Sequence, residues 1–128
     1  MIIKFKEIFT IPSATPQQRK LGGRGTHPTD GLRVARATWQ ALLERHRPEK
    51  PMKKEAKLYV VLNYHTCDSR KAGGPKTTRP DGDNLLKIIK DAATKAGWWV
   101  DDNIVYIDYI CRRWTKYDES VSMLAEGE

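Results

Sequence analysis

The sequence predicts an α+β fold, with two helices packed on one mixed β-sheet in the order β-α-β-α-β-β, as a single domain over residues 1–128. Three observations predict it. Apolar residues recur at helical spacing in two segments, 31–46 and 83–96. They alternate with period two in the segment 58–65 that lies between those helices. A chain of 128 residues is also the usual size of one hydrophobic core.

The first strand is expected over residues 2–11, where Ile3, Phe5 and Phe9 share one parity and Ile8 breaks the alternation. Residues 12–28 read as a loop rich in Gly, Pro, Ser and Thr, with Arg19, Lys20 and Arg24 along it. Loops of that length in a small domain are commonly functional or disordered. Thr29 and Asp30 are N-cap candidates for the first helix, whose stripe is Leu32, Ala35, Trp39, Leu42 and Leu43. Pro48 and Pro51 end it. In the second strand Leu58, Val60, Leu62 and Tyr64 alternate with Tyr59, Val61, Asn63 and His65.

Residues 67–80 predict a flexible basic loop carrying Arg70, Lys71, Lys76 and Arg79. The second helix follows, with Leu85, Ile88, Ile89, Ala92 and Ala96 as its core stripe and Gly97 as its stop. A strand over 104–114, a polar turn over 116–119 and a strand over 120–125 complete the fold as a hairpin.

Charge narrows the function. The chain carries 23 Lys+Arg against 16 Asp+Glu, a net charge of +7, which points to a polyanionic partner and to nucleic acid first. No apolar run approaches the roughly 20 residues of a membrane span, so no membrane partner is expected. The start, Met1-Ile2-Ile3-Lys4-Phe5-Lys6, has charges among its apolar residues and does not read as a signal peptide. Cys67 and Cys111 are too few for a disulfide framework or a zinc finger, so an intracellular, cytoplasmic protein is expected.

Against that basic background the carboxylates stand out. Asp81 and Asp83 sit one residue apart where the loop enters the second helix, and Asp101 and Asp102 follow that helix's end. In an extended segment alternate residues share a face, which lets Asp81 and Asp83 point together. Asn84, Lys87 and Asp91 fall within about 60° of each other on a helical wheel, forming a polar strip that starts beside the two aspartates. Each pair has an ordinary reading: Asp83 as a cap with Asp81 at the helix's positive end, and Asp101-Asp102-Asn103 as a turn. Converging carboxylates, however, repel unless a cation lies between them. Mg²⁺ takes hard oxygen ligands and keeps sites for water and phosphate.

The run Pro80-Asp81-Gly82-Asp83-Asn84-Leu85-Leu86-Lys87, then Asp91, then Thr94-Lys95-Ala96-Gly97-Trp98-Trp99-Val100-Asp101-Asp102, resembles the RusA family of Holliday junction resolvases. The family pattern is Asp-x-Asp-Asn-x-x-x-Lys, a further Asp one turn on, then Gly and a paired Asp-Asp. The resemblance implies a homodimeric endodeoxyribonuclease acting on branched, four-way DNA in recombination and repair. It implies Mg²⁺ as cofactor, with Mn²⁺ able to substitute, and no small-molecule cofactor. It also implies Asp81, Asp83 and Asp102 as metal-binding carboxylates and Lys87 as the residue at the scissile phosphate. Asp91 matches a family position; Asn84 is expected to hold the helix start and Asp101 to shape the turn. Gly82 stands where a bulkier residue is usual, Pro80 where some relatives carry a basic one, and Ile11-Pro12-Ser13-Ala14-Thr15 lacks an Asn often found after Pro-Ser. Basic DNA contacts are expected from Arg19, Lys20, Arg24, Arg70, Lys71, Lys76 and Arg79.

Two other readings stay open: a less selective phage nuclease on branched DNA, and a DNA-binding module with structural carboxylates. A binder has no need of clustered aspartates facing phosphate, where they cost affinity. His27, His46 and His65 lack metal-ligand spacing and are expected in structural or surface roles. Trp98-Trp99 is expected in the core or a dimer contact. Trp114 and Tyr117, beside Arg112, Arg113 and Lys116, leave base stacking open.

Overall fold

The period-two run in the middle of the chain becomes the central strand of the sheet. A computed structural model describes residues 1–13, 19–22, 25–28 and 30–128, with 19–22 and 25–28 described by backbone pairing alone. The elements are β1 (Ile2–Ile8), β2 (Arg19–Gly22), β3 (Gly25–Pro28), α1 (Asp30–Glu44), β4 (Ala56–His65), α2 (Gly82–Ala96), β5 (Val105–Thr115) and β6 (Ser120–Gly127), with one 3-10 turn at Asp102–Ile104. The main sheet runs β1-β6-β4-β5; β6 is antiparallel to both β1 and β4, and β5 is parallel to β4. This is the expected mixed sheet with two helices.

Two expectations need correction. The hairpin of β5 and β6 does not form, because β4 lies between them. The reason is the pattern of β4: its even-numbered side chains from Ala56 to Tyr64 are buried and those between them from Lys57 to Asn63 half-buried. A strand so well covered on both faces suits the centre of a sheet, and β4 takes that place, pairing with β5 on one edge and β6 on the other. The 116–119 turn therefore spans two strand spacings, roughly 10 Å. Glu119 anchors it, accepting from the Ile11 and His65 backbone N–H groups, each at 3.1 Å. The 12–28 loop is also not all loop: β2 and β3 pair antiparallel as a separate ribbon. Arg-Lys-Leu-Gly and Gly-Thr-His-Pro carry no apolar alternation to betray it. Thr29 lies outside the described residues.

The expected helical stripes are the core. Leu32, Ala35, Trp39, Leu42 and Leu43 of α1 are buried, as are Leu85, Ile88, Ile89, Ala92 and Ala96 of α2. Both helices cover the face of β4 that carries Leu58, Val60 and Leu62. Gly97 ends α2 at φ 89°, the left-handed conformation that favours glycine, and its N–H caps Thr94 and Ala93 carbonyls.

Trp98 and Trp99 are buried, as expected for core residues. The Trp98 indole donates to the Leu43 carbonyl at 2.8 Å and the Trp99 indole to Thr94 Oγ1 at 2.8 Å. Met52 N–H donates to the Trp98 carbonyl and Val100 N–H to the Met52 carbonyl. These bonds fix the segment that leads to Asp101 and Asp102. His46 also takes a structural place, stacked on Phe5 at 3.8 Å with Nε2 3.0 Å from Glu7 Oε2. Among the described residues no helix is long and apolar enough to cross a membrane.

Candidate active site

The site begins with the segment that delivers Asp81. After β4 the 67–80 loop turns back along the free edge of β5. Gly73 N–H donates to the Trp114 carbonyl, Trp114 N–H to the Gly74 carbonyl, and Lys76 N–H to the Arg112 carbonyl, each at 2.9 Å. Residues 73–76 of this expected loop are thus held as an extra edge on the sheet.

Two cations then grip its end. Lys76, expected among the phosphate contacts, is instead buried. Its Nζ donates to the Thr78 carbonyl at 3.1 Å, Thr78 Oγ1 at 2.9 Å and the Arg79 carbonyl at 2.8 Å. All three ammonium donors are used. The ammonium also lies 4.7 Å from the Tyr64 ring centre and 5.4 Å from that of Trp114. Burial, with the nearby Arg112 charge, lowers its pKa from the usual lysine value. Burial pushes the Tyr64 phenol up to about 12. Arg112 donates to the Thr78 carbonyl at 2.9 Å and to the Pro80 carbonyl. Three successive carbonyls before Asp81 are therefore held from inside.

Asp81 is the N-cap of α2, with extended backbone, and its Oδ1 accepts from the Asn84 N–H at 3.0 Å. The sequence alone favoured Asp83 for that role. The helix starts one residue earlier, at Gly82, which packs against β5: a Cβ there would stand 3.0 Å from Ile110 Cγ2. Asp83 is left exposed in the first turn, without a hydrogen-bond or ion-pair partner among the described residues. Asn84 is buried beneath them.

Asp83, Lys87, Asp91 and Lys95 then follow at four-residue intervals along one exposed face of α2. Asp91 is engaged by Lys95 at 3.4 Å, whereas Lys87 has no ion-pair partner among the described residues. A cleft of about 370 Å³ opens beside this face, lined by Arg36, Lys87, Ile88, Lys90, Asp91 and Asp102. Lys90 is neutralised by Asp108 at 2.7 Å. Arg36, Lys87 and Asp102 are the charges of the cleft with no ion-pair partner among the described residues.

The structure thus brings Lys87, Asp91 and Asp102 onto one cleft, although the first and last lie in different elements. Asp83 stands one helical turn, about 6 Å, from Lys87, and Asp81 caps the same helix. Among the described residues no three carboxyl, imidazole or thiol groups converge closely enough to cage a metal. Asp101 accepts from the Asn103 N–H at 3.1 Å and caps the 3-10 turn that carries Asp102.

Of the expected DNA contacts, Arg79 is exposed with no ion-pair partner among the described residues, Lys71 is exposed 5.7 Å from the Trp114 ring centre, and Arg70 is exposed but paired with Asp68 at 3.2 Å. Arg24 and the side chains of Arg19 and Lys20 lie outside the described residues. Sequence reasoning missed Arg36 and Arg112. Arg36 is four residues from Leu32 and flanks the buried stripe of α1, and Arg112 shares the parity of Ile110 and Trp114 in β5. A cation on the buried parity of a strand is a signal that was there to be used.

Chemically, the arrangement offers carboxylate oxygens at a helix start for a hard cation, and an unpaired lysine and arginine for a phosphate. A family model of the endodeoxyribonuclease RusA matches residues 8–122, nearly the whole chain. No curated protein matches this chain.

Proposed function

The chain belongs to the RusA endodeoxyribonuclease family, and on that premise we propose that it resolves four-way DNA junctions by Mg²⁺-dependent hydrolysis of paired phosphodiesters. The observation that carries the reading is the cleft shared by Lys87 and Asp102, one helical turn from Asp83. Mg²⁺ is commonly held by one or two carboxylates, waters and substrate phosphate oxygens, with no all-protein cage. Asp83 and the second oxygen of Asp81 fit that pattern at the helix start, and Asp102, which lines the cleft with Lys87, is the further carboxylate. Held there by these carboxylates, Mg²⁺ would supply an activated water and screening of charge on the phosphate.

The protein's own residues do the rest. Lys87 offsets the charge that grows on the phosphate oxygens in the transition state, and Arg36 faces the same cleft as a second cation. Lys76 and Arg112 position Asp81 through the carbonyls before it. Arg79, Lys71 and Arg70 offer phosphate contacts from the exposed side of the loop. One chain carries one such site, and a four-way junction has two-fold symmetry, so paired nicks call for a homodimer. The setting proposed is the cytoplasm of a bacterium or of a phage-infected one, in recombination and repair.

The test is incubation with a synthetic mobile four-way junction, with and without Mg²⁺, with nicks mapped on every strand. Symmetric nicks on opposed strands that require Mg²⁺ support resolution. Scattered cuts on any branched or duplex DNA would assign a less selective nuclease, and binding without cleavage a DNA-binding module.

A further inference from the structure

The turn between β5 and β6 presents an aromatic ring to solvent. Tyr117 is 79% exposed, yet its backbone is fixed: its N–H donates to Thr115 Oγ1 at 3.1 Å, and its carbonyl oxygen is 3.0 Å from His65 Nδ1. Beside it lies a cleft of about 460 Å³ whose lining includes Asn63, Gly73, Arg113, Trp114, Lys116 and Tyr117. One Arg113 nitrogen donates to the Gly73 carbonyl at 3.1 Å, leaving the rest of the guanidinium free among the described residues. Lys116, also in the lining, is exposed, as is Lys71, 5.7 Å from the Trp114 ring centre. An exposed ring gains nothing from burial, and here Arg113 and Lys116 line the same cleft. Aromatic faces beside positive charge are what unpaired nucleobases and their phosphates take.

The position ties this cleft to the active site. Arg112 points to the helix side of β5 and holds Pro80, just before Asp81. Arg113, the next residue, faces the other side and lines the cleft. A DNA strand crossing this edge of the sheet meets both. A continuous duplex has no free base face to offer there, whereas a branch point does.

We propose that the Trp114–Tyr117 cleft receives an unpaired nucleobase at the DNA branch point, stacked on Tyr117, with Arg113 and Lys116 on the flanking phosphates. This rests on the nuclease reading above. The experiment is metal-free binding of a four-way junction carrying 2-aminopurine at the branch, alongside a linear duplex, by wild type, Tyr117→Ala and Tyr117→Phe. The tyrosine side chain makes no hydrogen bond among the described residues, so both variants keep the turn. Tyr117→Ala is expected to weaken junction binding by about fivefold to a hundredfold, to leave duplex binding unchanged and to lose the 2-aminopurine signal. Tyr117→Phe is expected to behave as wild type. Equal junction affinity for wild type and Tyr117→Ala, or an equal loss on duplex, overturns the cleft assignment while leaving the nuclease reading intact. A wild-type chain that binds no branched DNA overturns both.

Discussion

The ammonium of Lys76 lies 2.8 Å from the carbonyl oxygen of Arg79, two residues before Asp81. A lysine from a basic loop thus serves as an internal strut, and the capping carboxylate inherits its position from it.

Removing that strut gives the first prediction. Lys76→Met keeps most of the volume but leaves the oxygens of Thr78 and Arg79 without this donor. Stability should fall by about 1–3 kcal/mol, and cleavage should fall with it because Asp81 is displaced. Lys71→Met, on an exposed lysine of the same loop, should leave the melting temperature within a degree or so. Thermal melts and single-turnover cleavage on the two variants check this. Equal melting temperatures would show that Lys76 is not a strut.

A pH dependence follows from β1. The hydrogen bond from His46, with Arg45 also contributing, holds the Glu7 carboxyl below its ordinary value, against the opposing effect of partial burial. A depressed folded-state pKa contributes stability that is present above the unfolded value, near 4.3, and is lost as pH falls through the folded one. Wild type should therefore lose more melting temperature than Glu7→Gln between pH 6 and pH 3. Parallel curves for the two proteins would exclude the linkage.

Binding should be strongly salt-dependent and independent of metal. Arg36, Lys71, Arg79, Arg113 and Lys116 are cations with no ion-pair partner among the described residues. If about half of them meet phosphate, log affinity falls with log salt at a slope near −2 to −3. Fluorescence anisotropy of a labelled junction across a salt series, in EDTA, measures the slope. A flat response would remove these side chains from the DNA interface.

Much of this was legible in the sequence, for definable reasons. The stripe from Leu32 to Leu43 and the Gly97 stop follow from period and from left-handed backbone, both local properties. The run from Asp81 to Asp102 was legible as a motif, but its assembly was not. Asp102 reaches the cleft of Lys87 only because the Trp98 indole is pinned to Leu43, 55 positions away, and because Met52 brackets Trp98 and Val100. Asp81 and Asp83 are both ordinary caps by local sequence, and the structure gives the role to Asp81, beside a close approach of Gly82 to Ile110 that only the fold reveals. The false hairpin had the same origin. A four-residue turn favours pairing of its neighbours, and only the two-sided burial of β4 overrides it. The burial of Lys76 is not legible, because a lysine among Gly, Pro and Thr looks solvated, whereas the inward parity of Arg112 is.

The most direct test of the active site is single-turnover cleavage of a four-way junction by Asp83→Asn, with metal-free junction binding measured on the same protein. Asp83 is exposed and is not the cap, so the substitution should leave the melting temperature nearly unchanged. Cleavage should fall by orders of magnitude, because the hydrolysis relies on that negative charge. Binding should hold or tighten, since a carboxylate facing phosphate has been neutralised. Lys87→Ala should likewise abolish cleavage with only slight loss of binding, as expected for a contact made in the transition state. An Asp83→Asn protein that binds the junction and cuts it at a near wild-type rate would contradict the account.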